Sequence, residues 1–450
     1  MLSSCTTIPR EIPGLSAELR DVFGPETFAT FAALTTGMLR ARGDGTVTEM
    51  WSGAGLAGRV HWSRAHRFFA GARWDPDELG LALARMVVAR FVPVGPVVVV
   101  VDDTLFHRAG RKVFGALWQH DGSALGRYGL GRGNGFVVVG IAVTVPWMNR
   151  RVLLPVLVWL WRGKGTATRA ELARQMVDLL VREFPKRDVD VVADAGYAGK
   201  VWAGLPERVT VTFRLPARAA LYAPPPLNLT VKAGHPVWKG PKLPSLGELA
   251  GIAAWQTREV TRYGRTVTVQ IAEMHVLWWG PLRRTPTRLI LLRDLGTKTG
   301  YDLALLTTDT METIADLVDR YSWRWSIEQA FHDAESLLGV GRARSRVQKA
   351  VERTVPFQLF CLTILFCWYH DATRAGTITP AWHRIAPWYR HKTHISTRDM
   401  IDTFREAIDH TPVAPAPAIN PTTPAQSTCH LPLAPQVSPV LYAPQVSPVL

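Results

Sequence analysis

The chain has 450 residues, 47% of them hydrophobic, with 52 lysines and arginines against 37 aspartates and glutamates. That length buries a large core and allows two to three domains. A formal net charge of +15 excludes a surface indifferent to polyanions and suits DNA. An anionic membrane is the competing partner, but the most apolar stretch, Leu359 to Tyr369, spans eleven residues, short of the roughly 20 a spanning helix needs. Met1 to Thr7 lacks both the basic start and the apolar block of a secretory signal, so the expected location is the cytoplasm, at the nucleoid. Cys5, Cys361, Cys367 and Cys429 show neither a zinc spacing nor a disulfide framework.

Residues 1–92 read as an N-terminal helical domain. Ser63 is an expected N-cap for a helix over Arg64 to Gly71, and Asp75-Pro76-Asp77-Glu78 has the proline and acids of a helix start. Thr46 to Trp51, Gly53-Ala54-Gly55 and Trp62 to Phe69 have the helix, glycine turn, helix layout of a DNA-binding motif. Arg64 and Arg67, with Arg59, His61 and His66, are then candidate DNA contacts. A packing module with a solvated basic face explains the same pattern.

From Val97 the pattern changes to continuous apolar runs, Val97 to Val101, Phe136 to Val145 and Val152 to Trp161, which read as strands buried on both faces. Thr168 to Phe184 follows at helical spacing, then a fourth strand, Val189 to Ala193, and a fifth, Val209 to Leu215. Three strands, a helix and a fourth strand is the order of an RNase H-like α/β core, in which the fourth strand pairs beside the first. Residues 93–215 are its first part. The interval 216–287 is broken by prolines and then alternates like a hairpin around Tyr263-Gly264, a β-rich insertion. The core resumes over 288–375, a helical extension follows over 376–410, and 411–450 is a Pro-rich tail, expected to be disordered, in which Ala434 to Leu441 recurs as Ala443 to Leu450.

Three acids stand out against this frame. Asp102 ends the valine run, Asp194 ends Val189 to Ala193, and Glu328 lies in Tyr321-Ser322-Trp323-Arg324-Trp325-Ser326-Ile327-Glu328. Alone, an aspartate at a strand end is commonly a turn or cap residue, and the last segment reads equally as a salt-bridged surface helix. In this order, however, the acids are those an RNase H-type site uses to hold two Mg²⁺ ions, which prefer hard oxygen ligands. Asp103 competes with Asp102, because neighbours on a strand face opposite ways and only one can turn toward Asp194. On a single helix, Tyr321, Arg324, Glu328 and Glu335 share one stripe, where an arginine one turn before a carboxylate suits a phosphate. Trp325 is expected to pack in the core.

With these residues in place the sequence resembles the DDE transposases of bacterial insertion sequences, in the group marked by Tyr, two residues, Arg, three residues, Glu, six residues, Lys. Tyr321, Arg324 and Glu328 match the first three positions, Val101-Asp102-Asp103-Thr104 the first aspartate motif, and Ala193-Asp194-Ala195-Gly196-Tyr197 the second. The likeness runs from about Thr27 to Tyr369. It implies Mg²⁺-dependent cutting and joining of transposon ends, with Mn²⁺ able to substitute. Asp102, Asp194 and Glu328 are then the implied metal ligands, with Tyr321 and Arg324 near the phosphate. The implied partners are the double-stranded DNA of terminal repeats and target, bound by a homodimer. Glu335 stands where the group carries lysine, with Arg342 and Arg344 a turn or two beyond. Two alternatives stay open, a structure-specific nuclease on the same core and a DNA-binding relic without catalysis.

Overall fold

Valine-rich runs that water can solvate on neither face set the architecture. The computed structural model describes residues 18–122, 129–226, 237–378, 388–389 and 391–409. The expectations for the first residues, Cys5, Cys429 and the tail fall outside them, as does the basic residue Arg127. Among the described residues ten strands form one mixed sheet: β1 Val97–His107, β2 Leu117–His120, β3 Leu130–Thr144, β4 Arg151–Trp161, β5 Val189–Ala193, β6 Val209–Arg214, β7 Gln256–Arg262, β8 Arg265–Val276, β9 Thr287–Asp294 and β10 Leu303–Thr307. Their order is β2-β3-β1-β5-β6-β10-β9-β8-β7, with β4 also on β3. The helices are α1 Pro25–Arg40, α2 Val47–Gly53, α3 Ser63–Ala70, α4 Pro76–Phe91, α5 Arg169–Glu183, α6 Leu246–Ile252, α7 Trp279–Leu282, α8 Ile314–Ser322, α9 Trp325–Leu338, α10 Gln348–Arg374 and α11 Thr397–Asp409.

The centre is the expected RNase H-like core. β1 and β3 are antiparallel, as are β3 and β4, and β5 lies parallel beside β1. β1 is longer than its valine run. Once β5 ends at Ala193, β3 still pairs with Asp102 through His107, so Asp102 sits within a strand rather than at its end. β2 was not expected, because its four residues carry too short an apolar pattern to register.

The hairpin expected around Tyr263-Gly264 is present, formed by β7 and β8. Tyr263 and Gly264 take the left-handed backbone, φ 54° and 74°, that a tight hairpin turn requires. β8 pairs with β9 along Val269 to Val276, so the insertion widens the core sheet.

The N-terminal helices pack tightly. A Cβ on Gly37 of α1 would fall 1.6 Å from the Met50 carbonyl oxygen of α2, so only glycine allows that approach. The helix start read at Asp75-Pro76-Asp77-Glu78 is present: Asp75 caps α4 and Pro76 opens it. The two helices of the helix, glycine turn, helix reading lie near their expected bounds, with residues 54–62 between α2 and α3. Ser63 is the first residue of α3 and Trp62 its cap.

The apolar segment also proves longer than its composition suggested. α10 has 27 residues, long and apolar enough to cross a membrane by length and composition. Yet 89% of its most apolar window is buried, against α1, α3, α4, α9, α11 and β4. It is the central helix of the fold.

The segment Tyr321–Glu328 is not one helix. α8 ends at Ser322 and α9 begins at Trp325. Between them the backbone tightens to bonds three residues long, such as Arg324 N–H to Tyr321 O at 3.1 Å. Ser322 and Ser326 hydroxyls donate to the carbonyls of Asp319 and Trp323, both at 2.6 Å, competition of the kind that bends helices. Just upstream, buried Arg320 anchors α8 to the sheet through Asp190 at 2.8 Å, Asp309 at 3.3 Å and Glu312 at 2.9 Å. Removing the cation from such a group leaves buried carboxylates uncompensated. Arg320→Met is therefore expected to cost roughly 3–5 kcal/mol, read as the shift in urea unfolding. A loss under about 1 kcal/mol would show that the anchor is dispensable.

Candidate active site

Parallel pairing of β1 and β5 ends with Val101 opposite Ala193. Asp102 and Asp194 are the next residue on each chain, so they emerge side by side, about one strand spacing apart in the backbone. β5 then turns into the 3₁₀ turn Ala195–Tyr197, which leaves the β5 side of Asp102 without a ladder partner.

Alternation along β1 separates the two neighbouring acids. Asp102 turns toward α9, where its Oδ2 lies 3.2 Å from Arg324 Nη1. Arg324 Nη2 in turn lies 3.0 Å from Glu328 Oε1. One guanidinium therefore stands between the two carboxylates. Asp103 turns to the opposite face, toward α5. It accepts a hydrogen bond from Tyr197 Oη at 2.8 Å and lies 3.1 Å from Arg169 Nε, an ion pair in which the Nε–H is not aligned for a hydrogen bond.

The electrostatics tie the remaining members to this group. Burial raises the Asp102 carboxyl to about 6; the Asp103 amide and Arg324 pull it down, while Asp103 and Asp194 push it up. Burial works against the charge of Arg324, yet Tyr321, Asp102, Glu328 and Asp194 together hold it more firmly protonated than usual. Tyr321 is buried, and its phenol is pushed up to about 12 by that burial; Arg324 and Arg214 pull it down, while Asp194 pushes it up. Asp102, Asp194, Tyr321, Arg324 and Glu328 thus form one electrostatic cluster, despite the broken helix.

The other candidates, and further basic residues, lie elsewhere. Arg64 donates to Thr30 Oγ1 at 2.9 Å and to the Glu26 carbonyl, fastening α3 to α1, whereas Arg67 is exposed. Arg132 is held by the carbonyls of Arg108 and Gly110. Arg150 reaches Gln329 and Asp333, and Arg151 stacks 4.1 Å from the Trp323 ring. Trp325 departs from expectation: it is 46% exposed and meets Tyr263 edge-on at 6.2 Å, because the helix break turns it out of the core. Glu335 is exposed two turns beyond Glu328. Partial burial raises its carboxyl, against the attraction of Arg342, His107 and His332. Tyr197 and Arg169 were not singled out from sequence. The available signal was the tyrosine closing Asp194-Ala195-Gly196-Tyr197.

Among the described residues no group of three or more His, Cys, Asp or Glu side chains stands close enough to hold a metal ion. Here the Arg324 guanidinium occupies the space between two of the acids. The donor set still fits divalent metals: its oxygens are hard, and a cation already fills the gap between two of them. Ionised Asp102 resists its burial, so neutralising it should stabilise metal-free protein. Asp102→Asn is expected to gain on the order of 1–3 kcal/mol at pH 7 in EDTA, seen as a higher Tm. Because the native carboxyl is raised to about 6, it takes up its proton as pH falls through 6, and the gap should close toward pH 4. A gap unchanged from pH 4 to 8 would contradict this.

No curated protein matches the chain. The profile of a family described as DDE superfamily endonuclease matches residues 18–276, more than half of the sequence. The match includes Asp102, Asp103 and Asp194 and ends before Tyr321, Arg324 and Glu328. Enzymes of this kind are of nuclease or transposase type, act on DNA and generally use divalent metals. With an RNase H-like core carrying two matched aspartates at adjoining strand positions, the chain belongs to the DDE superfamily of endonucleases.

Proposed function

We propose that the chain is a DDE transposase that cleaves phosphodiester bonds at transposon ends and joins the freed 3′ ends to target DNA. The observation that carries this reading is the cluster of Asp102, Asp194, Tyr321, Arg324 and Glu328 beside the β1–β5 pair. Asp102, Asp194 and Glu328 would hold two Mg²⁺ ions, or Mn²⁺ in their place, which when bound activate the attacking oxygen and stabilise the leaving 3′ oxygen. With metal ions on the carboxylates in its place, Arg324 would be released from Asp102 and Glu328 to offer two parallel N–H groups to a phosphate, and the tyrosine hydroxyl beside it stays protonated, so it donates rather than repels. Trp325 and Tyr263 present aromatic surface next to this site.

In this reading the helices before residue 93 hold the terminal repeats, with exposed Arg67 as a contact. The insertion over 216–287 lies along the bound end, and two chains pair the two ends at the nucleoid. The test is purified protein with DNA carrying the inverted repeats that border its gene. Mg²⁺-dependent nicking at the repeat tips, followed by strand transfer, supports the reading. A gene with no bordering repeats, or a protein that cuts branched DNA without joining, would replace it with the nuclease alternative.

Asp102→Ala, Asp194→Ala and Glu328→Ala are each expected to lower cleavage on the order of 100-fold or more, while end binding in gel-shift assays stays close to native. A variant that still nicks at the native rate would lose its place in the site. Glu335→Lys replaces a repelling charge with an attracting one. It should tighten DNA binding several-fold and steepen the salt dependence of log K by about one. An unchanged salt slope would place Glu335 away from the DNA.

A further inference from the structure

We propose that Tyr197, acting through Asp103, is a positioning residue that fixes the separation of Asp102 and Asp194. The proposal rests on the reading that these two aspartates hold the metal ions.

The need for such a tie follows from the pairing. Ladder bonds join β1 to β5 only as far as Val101 and Ala193, so neither acid is held by the β1–β5 ladder. β1 is continued by β3, but the chain after Ala193 leaves the sheet. Its placement against Asp102 must come from another contact.

Tyr197 supplies it. Its backbone N–H donates to the Asp194 carbonyl at 3.0 Å, closing the turn that follows the second acid. Its carbonyl accepts from Trp202 Nε1 at 2.7 Å. Its hydroxyl donates to Asp103 Oδ1 at 2.8 Å, on the residue next to the first acid. The ring is 3% exposed, so it has little room to swing. A rigid phenol therefore links the two acid-bearing segments, one residue from Asp102 and three from Asp194.

Asp103 is itself held from the other side. Arg169, the first residue of α5, pairs with its second oxygen, stacks 4.2 Å from the Trp161 ring and donates to Gln119 Oε1 at 2.6 Å. This accounts for two adjacent aspartates: Asp102 faces the site, and Asp103 receives the brace. Burial, then the charges of Asp103 and Asp102, push the Tyr197 phenol well above its ordinary range, which keeps it a donor.

The test uses full-length protein and Mn²⁺ as probe, with affinity read by calorimetry and electron paramagnetic resonance, beside Tm in EDTA and end cleavage against Mg²⁺ concentration. Tyr197→Phe keeps the ring and removes one hydrogen bond. It should weaken Mn²⁺ binding roughly 10-fold or more, raise the Mg²⁺ needed for half-maximal cleavage, and leave Tm within a few degrees. Asp103→Asn keeps an oxygen acceptor for the phenol but loses the ion pair with Arg169, so its Mn²⁺ affinity should fall less than that of Asp103→Ala, which loses both partners and should weaken binding at least as much as Tyr197→Phe. Native affinity and native Mg²⁺ dependence in Tyr197→Phe would overturn the positioning role, as would equal losses in Asp103→Asn and Asp103→Ala. If folded native protein neither binds Mn²⁺ nor cuts DNA, the transposase reading itself falls.

Discussion

The whole site depends on one pairing, the parallel contact of β1 with β5. Parallel strands need a long crossover between them, here supplied by β3, β4 and α5, so residues 92 positions apart, Asp102 and Asp194, become neighbours. The valines of both strands are wholly or almost wholly buried, and a slip of one residue would draw one of the two aspartates into the apolar core, where an unpaired charge is costly. Hydrophobic register thus determines where the two charges emerge. The core and the chemistry are set by the same ladder.

That arrangement is electrostatically costly, and the chain meets the cost with its own cation. Ionised carboxylates crowded at a half-buried strand position repel one another, and Arg324 draws Asp102 and Glu328 to opposite sides of its guanidinium. The arginine is brought there by the break between α8 and α9. The Arg320 anchor on one side and the serine back-bonds on the other hold that break in place. An unbroken helix would carry the same residues on a different trajectory.

Much of this was readable in the chain itself. Period and composition located β1, β3, β4, β5 and β6, the hairpin at Tyr263-Gly264 and the helix start at Asp75-Pro76, because each is a local property of a few residues. The order of strands then led to the RNase H-like core. The break at Trp323-Arg324 was not legible, since Tyr321 to Glu328 has helical spacing and only the serine back-bonds in three dimensions reveal the tightening. The choice between Asp102 and Asp103 was equally closed to sequence. Alternation says that the two diverge, but only the packing of α5 and α9 on opposite faces of β1 says which way. Arg169 and Tyr197 escaped for the same reason: their partner lies more than 60 residues away.

The burial of α10 bears on how such a chain can evolve. Helices α1, α3 and α4 from the front of the sequence and strand β4 of the catalytic sheet all rest on it, although it is encoded near the other end. Recombination that swapped the front helices alone would strand its greasy flank against a foreign surface. If the front helices hold DNA as proposed, changes in what they read would accumulate by point substitutions at exposed positions such as Arg67, while wholesale exchange of parts would be confined to the periphery.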